Sequence, residues 1–180
     1  DEKVQKAVNR IQPQSLTQSV LDQARELGFR SINLDLIYGL PHQTEATFAH
    51  TVDTVIAMSP DRLSVFNYAH LPERFMPQRR INEADIPSPE SKLKMFQNTI
   101  NKLMDAGYVY IGMDHFAKPD DELAIAQQKG QLQRNFQGYS THGNCDLVAT
   151  GVSAISQVGN SYYQNFHTME DYCAALEKDN

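Results

Sequence analysis

The chain has 180 residues, of which 41% are hydrophobic and 21% charged, the composition of a folded domain rather than of a disordered or fibrous chain. Sixteen Lys and Arg stand against twenty-two Asp and Glu, and the net charge of −6 argues against nucleic acid as a partner. Cys145 and Cys173 are too few for a disulfide scaffold and form no paired or triplet spacing for a metal cage, and no apolar run is long enough for a membrane span.

Asp1 to Gln12 is polar, with Val4, Ala7, Val8 and Ile11 at helical spacing, and the absence of an initial Met suggests a segment of a longer gene product. Three helix-then-strand passages follow. After Ser15, a candidate N-cap, Leu16, Val20, Leu21, Ala24 and Leu27 recur at helical spacing, and Gly28 can supply a left-handed stop. Ser31 to Tyr38 then alternates as a strand, with Ile32, Leu34 and Leu36 on one side and Asn33, Asp35 and Ile37 on the other. The second helix begins near Thr44, carries Phe48, Val52, Val55 and Ile56, and stops at Ser59-Pro60, after which Arg62 to Ala69 reads as a strand. The third helix opens at Ser88-Pro89 and places Leu93, Phe96, Ile100, Leu103 and Met104 in its buried stripe. Gly107 ends it, and Tyr108 to Phe116 is the third strand.

Strands and helices alternating through short connections form parallel crossover units. The expectation is therefore an α/β fold with parallel strands near 31–38, 62–68 and 108–115. Three such strands leave an apolar sheet edge open. Asn33, Asp35, Ser64, Asn67 and Asp114 within otherwise apolar strands favour a piece of a barrel over a doubly wound sheet, whose strands are apolar on both faces. Beyond His115 the order changes. A short helix is expected within Pro119 to Lys129, with Leu123 and Ala126 inward and Gly130 as its stop. Gly138 to Gly143 reads as a turn-rich loop, and Asp146 to Gly159 is ambiguous between strand and helix. Thr168 and Asp171 make a capping box for a last helix carrying Tyr172, Cys173 and Leu176.

Asp35 stands mid-strand among apolar neighbours, where a carboxylate needs a ligand, a cation or a donor, a satisfied structural Asp being the competing reading. The Tyr38-Gly39-Leu40-Pro41 turn lies at that strand's C-terminal end, where barrels and open sheets bind ligands. Phe66 to His70 end the second strand in the same way; Phe66 or Tyr68 can lie against a flat ligand or plug an aromatic core, and backbone near Ala69 can read a ligand's edge. His70 alone supports no metal or general-base role. Asp114 and His115, adjacent on a strand, point to opposite faces and make no ready acid–base pair. Arg10, on the helix before the first strand, suits a carboxylate clamp, against the commoner reading of a solvated side chain. Gly151 and Gly159 bracket VSAIS without the spacing of a nucleotide loop. These residues point to a site at the strand C-termini and do not define a reaction.

Five blocks are more specific: VQKAVNRIQ (4–12), NLDLIYGLPHQT (33–44), DRLSVFNYAHLPERF (61–75), GMDHFAKPDDELAIAQ (112–127) and RNFQGYSTHGNCDLVATGVSAIS (134–156). Together they resemble the bacterial oxygen-independent coproporphyrinogen III oxidases (coproporphyrinogen dehydrogenases), members of the radical S-adenosylmethionine superfamily. The resemblance runs through essentially the whole chain.

It implies a fragment of an incomplete (β/α)6 barrel, with residues 1–118 as the C-terminal half of the barrel and 119–180 as a family-specific extension toward a C-terminal helical domain. The barrel half bearing the three-cysteine loop would lie upstream, so no metal ligand is expected here, and neither Cys145 nor Cys173 takes that role. The resemblance further implies a [4Fe–4S] cluster and S-adenosylmethionine in the full-length parent. A 5′-deoxyadenosyl radical would take hydrogen from two propionates of coproporphyrinogen III, which lose carbon dioxide and become the vinyl groups of protoporphyrinogen IX in anaerobic haem biosynthesis. A cytoplasmic, monomeric parent served by an electron donor is implied as well.

By the same resemblance Arg10 meets the methionine carboxylate, Asp35 accepts from the ribose hydroxyls, and the main chain at Ala69 borders the adenine. Phe66, Gln137 and Ile155 line a second S-adenosylmethionine or its surroundings. No protein acid or base is implied as catalytic, and Arg74, Arg79 and Arg80 are candidates for the substrate's carboxylates. A haem chaperone of the same superfamily and a non-catalytic α/β fragment are the alternatives.

Overall fold

A computed structural model describes residues 1–178. The chain divides into two compact units, Asp1–Leu132 and Gln133–Asn180. The first contains α1 (Glu2–Ala7), α2 (Gln14–Glu26), β1 (Asn33–Tyr38), α3 (Glu45–Met58), β2 (Arg62–Asn67), α4 (Pro89–Asp105), β3 (Val109–Gly112), β4 (His115–Ala117) and α5 (Glu122–Gln128). Two 3-10 turns, Met76–Arg80 and Glu83–Asp85, lie between β2 and α4.

The helix starts follow the capping residues. Thr44 caps α3 through a reciprocal exchange with Thr47, and Ser88 caps α4 with Pro89 at its first position. Ser59, in left-handed geometry before Pro60, ends α3, and Gly28 is left-handed after α2. Pro13 rather than Ser15 occupies the N-cap of α2, because the helix begins two residues earlier than the apolar periodicity suggests. Only Leu21 of its stripe is buried, while Leu16, Val20 and Leu27 are more than half exposed.

β1 and β2 pair in parallel, Asn33 opposite Arg62 through Tyr38 opposite Asn67, as the crossover pattern requires. The third parallel strand is a correction. Gly112 at φ 143° and Met113 at φ 53° reverse the chain, so residues 109–117 form a hairpin, β4 pairing antiparallel with both β2 and β3. Tyr110 OH donates to the Met113 carbonyl at 2.8 Å and Val65 N to that of Asp114 at 2.7 Å, fixing the reversal. The sheet, in order β1-β2-β4-β3, is mixed and open rather than closed into a barrel.

Phe48, Val52 and Val55 of α3 and Met95 and Leu103 of α4 bury one sheet face, packing with Leu63, Val65, Tyr108 and Phe116. Leu34, Leu36 and Tyr38 join that face, as the alternation in β1 requires. Each fully buried side chain contributes about 1.5–3 kcal/mol relative to exposure. The stripe of α4 is Met95, Thr99 and Leu103, with Phe96 and Ile100 half-buried beside it; Leu93 and Met104 lie one position too far round and are exposed.

Asp121 is the N-cap of α5: its carboxylate accepts from Leu123 N, and its two oxygens share the single Arg62 Nε–H at 2.8 and 2.9 Å. Ser31 Oγ donates to the same carboxylate, and Glu122 takes Arg62 Nη2 at 2.8 Å. Gln127 of α5 donates to the carbonyls of Tyr110 and Ile111, which occupies part of the edge of β3.

The second unit is built from two hairpins and a helix: β5 (Gln133–Asn135) with β6 (Gly138–Ser140), β7 (Ile155–Val158) with β8 (Ser161–Gln164), and α6 (Met169–Lys178). Gly138 to Ser140 is therefore strand rather than loop, and the ambiguous Asp146 to Gly159 stretch ends as strand. Thr168 Oγ1 accepts from Asp171 N and donates to its carboxylate, a variant of the expected capping box.

Candidate functional site

The sheet face away from α3 and α4 carries the polar side chains Asn33, Asp35 and Ser64 beside the apolar Ile37 and Phe66. Asp35 is in register with Ser64, Ile37 with Phe66, and Ser64 with His115, and opposed residues share a face. Asn33 Nδ2 donates to Asp35 Oδ1 at 2.6 Å, and Ser64 Oγ donates to Asn33 Oδ1 at 3.3 Å. The exposed Asp35 carboxylate thus has one oxygen engaged by a neighbour and a second to accept from a ligand. Phe66, 37% exposed, meets the His115 ring edge-on at 6.1 Å.

At the C-terminal ends of β1 and β2, a glutamine amide pins each turn. Gln43 Nε2 donates to the Ile37 carbonyl and its Oε1 accepts from Leu40 N. Gln78 Nε2 donates to the Ala69 carbonyl at 3.0 Å and its Oε1 accepts from Leu71 N. Both bonds span several residues and involve backbone partners, so no local pattern announces them. Gly39, at φ 83°, adopts a left-handed backbone that favours glycine, and it sits against the flexible Lys92 stem. Lys92 Nζ donates to the Tyr68 carbonyl at 3.4 Å and lies over the Tyr68 ring. Tyr68 OH lies 2.9 Å from His70 Nδ1, and burial pushes the phenol pKa up, so it stays neutral at physiological pH.

Asp35 and Phe66 stand on the same face of adjacent strands, and Ala69 follows two residues after β2. Arg10 is not on a helix. α1 ends at Ala7, Asn9 is left-handed at φ 53°, and Arg10 N donates to the Gln5 carbonyl. Asn at such a position is the signal that could have placed the stop. The Arg10 side chain is exposed in the loop before α2. Asp114 lies in the β3–β4 turn rather than on a strand, which brings its Oδ1 within 2.7 Å of His115 Nδ1; the two do form a pair. In the second unit, Gln137 is exposed in the β5–β6 turn, its N donating to Asn135 Oδ1 at 2.9 Å, and half-buried Ile155 opens β7.

Among the described residues, no group of three or more His, Cys, Asp and Glu is placed to hold a metal, and Cys145 and Cys173 are free and exposed. No helix among them is long and apolar enough to cross a membrane.

No protein-family model matches the chain. An oxygen-independent coproporphyrinogen III oxidase from Pseudomonas aeruginosa is 66% identical over 177 residues, covering 98% of this chain and 38% of its own length. One from Escherichia coli is 55% identical over 99% of this chain and 39% of its own, and one from Thermostichus vulcanus is 46% identical over 96% and 53%. The solved coproporphyrinogen III oxidase from Escherichia coli, described as a radical SAM enzyme, superposes with a TM-score of 0.95 at 54% identity, covering 100% of this chain and 42% of that one. The chain thus spans about two fifths of the length of the first of these relatives.

Proposed function

Because the chain belongs to the oxygen-independent coproporphyrinogen III oxidase family, of whose first curated relatives it spans about two fifths, we propose that the full-length protein oxidatively decarboxylates two propionates of coproporphyrinogen III to vinyl groups. The 66% identity across nearly the entire chain is the observation that carries this reading. S-adenosylmethionine, when bound, supplies the carbon radical that removes hydrogen from a propionate side chain. The reaction belongs to anaerobic haem biosynthesis in the cytoplasm, with an electron donor for a [4Fe–4S] cluster and a monomeric enzyme.

The open face of β1 and β2 fits one wall of the S-adenosylmethionine site. Asp35 offers the ribose hydroxyls an acceptor held in place by Asn33, and the exposed Ala69 peptide, pinned by Gln78, borders the adenine. Arg10 reaches the methionine carboxylate as a planar, two-pronged donor. Phe66, exposed at the end of β2, lines the neighbouring volume. These residues bind and orient, and the reaction's hard chemistry belongs to the cofactor. The described residues do not fit the iron–sulfur cluster, since they hold no set of three ligands.

Anaerobic reconstitution of the full-length protein with iron and sulfide tests the reading. Conversion of coproporphyrinogen III to protoporphyrinogen IX is expected, and haem retention without decarboxylation would overturn it in favour of a chaperone. The 180 residues by themselves are expected not to cleave S-adenosylmethionine.

A further inference from the structure

Three of the chain's eight arginines, Arg74, Arg79 and Arg80, fall within seven positions of a chain whose net charge is −6. Two other arginines of the first unit are engaged: Arg62 is paired with Asp121 and Glu122, and Arg25 donates to the carbonyls of Met58 and Ser59. None of the three in the loop has a carboxylate within ion-pair distance among the described residues. They are held rather than loose. The segment starts at the Ala69 turn that Gln78 pins, Arg79 Nε donates to the Pro72 carbonyl at 3.0 Å, and residues 76–80 form a 3-10 turn. Arg79 therefore keeps both terminal nitrogens for another partner.

Two further features point to a ligand with an apolar body. Phe75 and Met76 stand 52% and 71% exposed among the arginines. Arg80 also walls a cavity of about 190 Å³ with Pro77, Ile81 and the α1 exit at Ala7, Val8 and Asn9, next to Arg10. Exposed aromatic and thioether surface interleaved with unpaired guanidinium groups suits a flat apolar ring carrying carboxylates on its rim.

We propose that residues 74–80 form the subsite that grips the substrate's carboxylates, with Arg74, Arg79 and Arg80 on the anionic rim and Phe75 and Met76 against the macrocycle. This rests on the tetrapyrrole reading above, and it adds the residues that set selectivity for a polycarboxylate. Arg10 serves the cofactor and lies outside the subsite.

The test is fluorescence titration of full-length protein with coproporphyrin III, the air-stable four-carboxylate form, and with mesoporphyrin, which carries two. In an Arg74→Gln, Arg79→Gln, Arg80→Gln variant, coproporphyrin affinity is expected to fall at least tenfold and mesoporphyrin affinity by less. S-adenosylmethionine affinity is expected to hold, and the salt dependence of coproporphyrin binding to flatten. The single Arg80→Gln variant, expected to lose three- to tenfold, keeps the proposal testable if the triple variant misfolds. Unchanged coproporphyrin affinity in a folded variant, or equal losses for both porphyrins and S-adenosylmethionine, overturns the subsite and leaves the overall activity standing. A wild-type protein that binds neither porphyrin overturns the tetrapyrrole reading, and the subsite with it.

Discussion

The Gln78 side-chain amide donates to the Ala69 carbonyl at 3.0 Å and accepts from Leu71 N, so one side chain fixes the bend that follows β2. Gln43 does the same for the bend after β1. Both strand ends are thereby held rigid by residues that need not touch a ligand.

Gln78→Ala should therefore weaken S-adenosylmethionine binding by full-length protein about two- to tenfold, the range that one net hydrogen bond of about 0.5–1.5 kcal/mol sets. Isothermal titration measures this directly. Gln78→Glu keeps the acceptor for Leu71 N and loses the donor to Ala69, so it should fall between wild type and Ala. Wild-type affinity in both variants would show that the bend needs no such support.

The Arg62–Asp121 pair holds α5 against the start of β2, with the Asp121 side chain 3% and the Arg62 side chain 23% exposed. Removing one partner of a largely buried pair strands the other, and Asp121→Ala should cost about 3 kcal/mol in urea-induced unfolding of the chain. Loss of the cap at Leu123 N adds to it. A cost below about 0.5 kcal/mol, the size of an ordinary surface change, would mean that the pair contributes little.

Tyr108 OH donates to the Pro60 carbonyl at 2.7 Å, and burial first, then the nearby Asp61 carboxylate, push its pKa from 10.0 to about 12. The folded form holds this proton more tightly than the unfolded chain does. The stabilisation is therefore complete below pH 10 and is lost as pH rises toward 12. Ultraviolet titration of wild type against Tyr108→Phe should show one phenol missing from the high-pH end of the curve. A difference spectrum titrating near pH 10 would contradict the burial argument.

Local chemistry made much of this fold legible. Thr44, Ser88-Pro89, Gly28 and Ser59-Pro60 mark helix ends with short-range bonds and φ preferences, and alternation in β1 separates core from open face. The β3–β4 hairpin was hidden because its reversal uses Met113 in left-handed geometry, where a turn signal would normally be Asn or Gly. That one reversal also turned Asp114 and His115 from opposed strand residues into a pair. In α4, Leu93 and Met104 satisfy helical spacing equally well, and only the packed neighbours select Met95 and Thr99 instead. Asp35 is legible as a mid-strand carboxylate, and Phe66 and Ala69 as residues at the end of the second strand. The Gln78 and Arg62–Asp121 contacts are not, because their partners are backbone groups or lie 59 positions away.

Asp35 tests most directly whether the open face of β1 and β2 is a wall of the proposed cofactor site. Calorimetric titration of S-adenosylmethionine into full-length Asp35→Ala should show affinity lower by about tenfold to a hundredfold, the scale of hydrogen bonds to a charged group. Because Asp35 is exposed, unfolding free energy should change by no more than about 0.5 kcal/mol. A variant that folds as wild type and binds S-adenosylmethionine equally well would contradict the account.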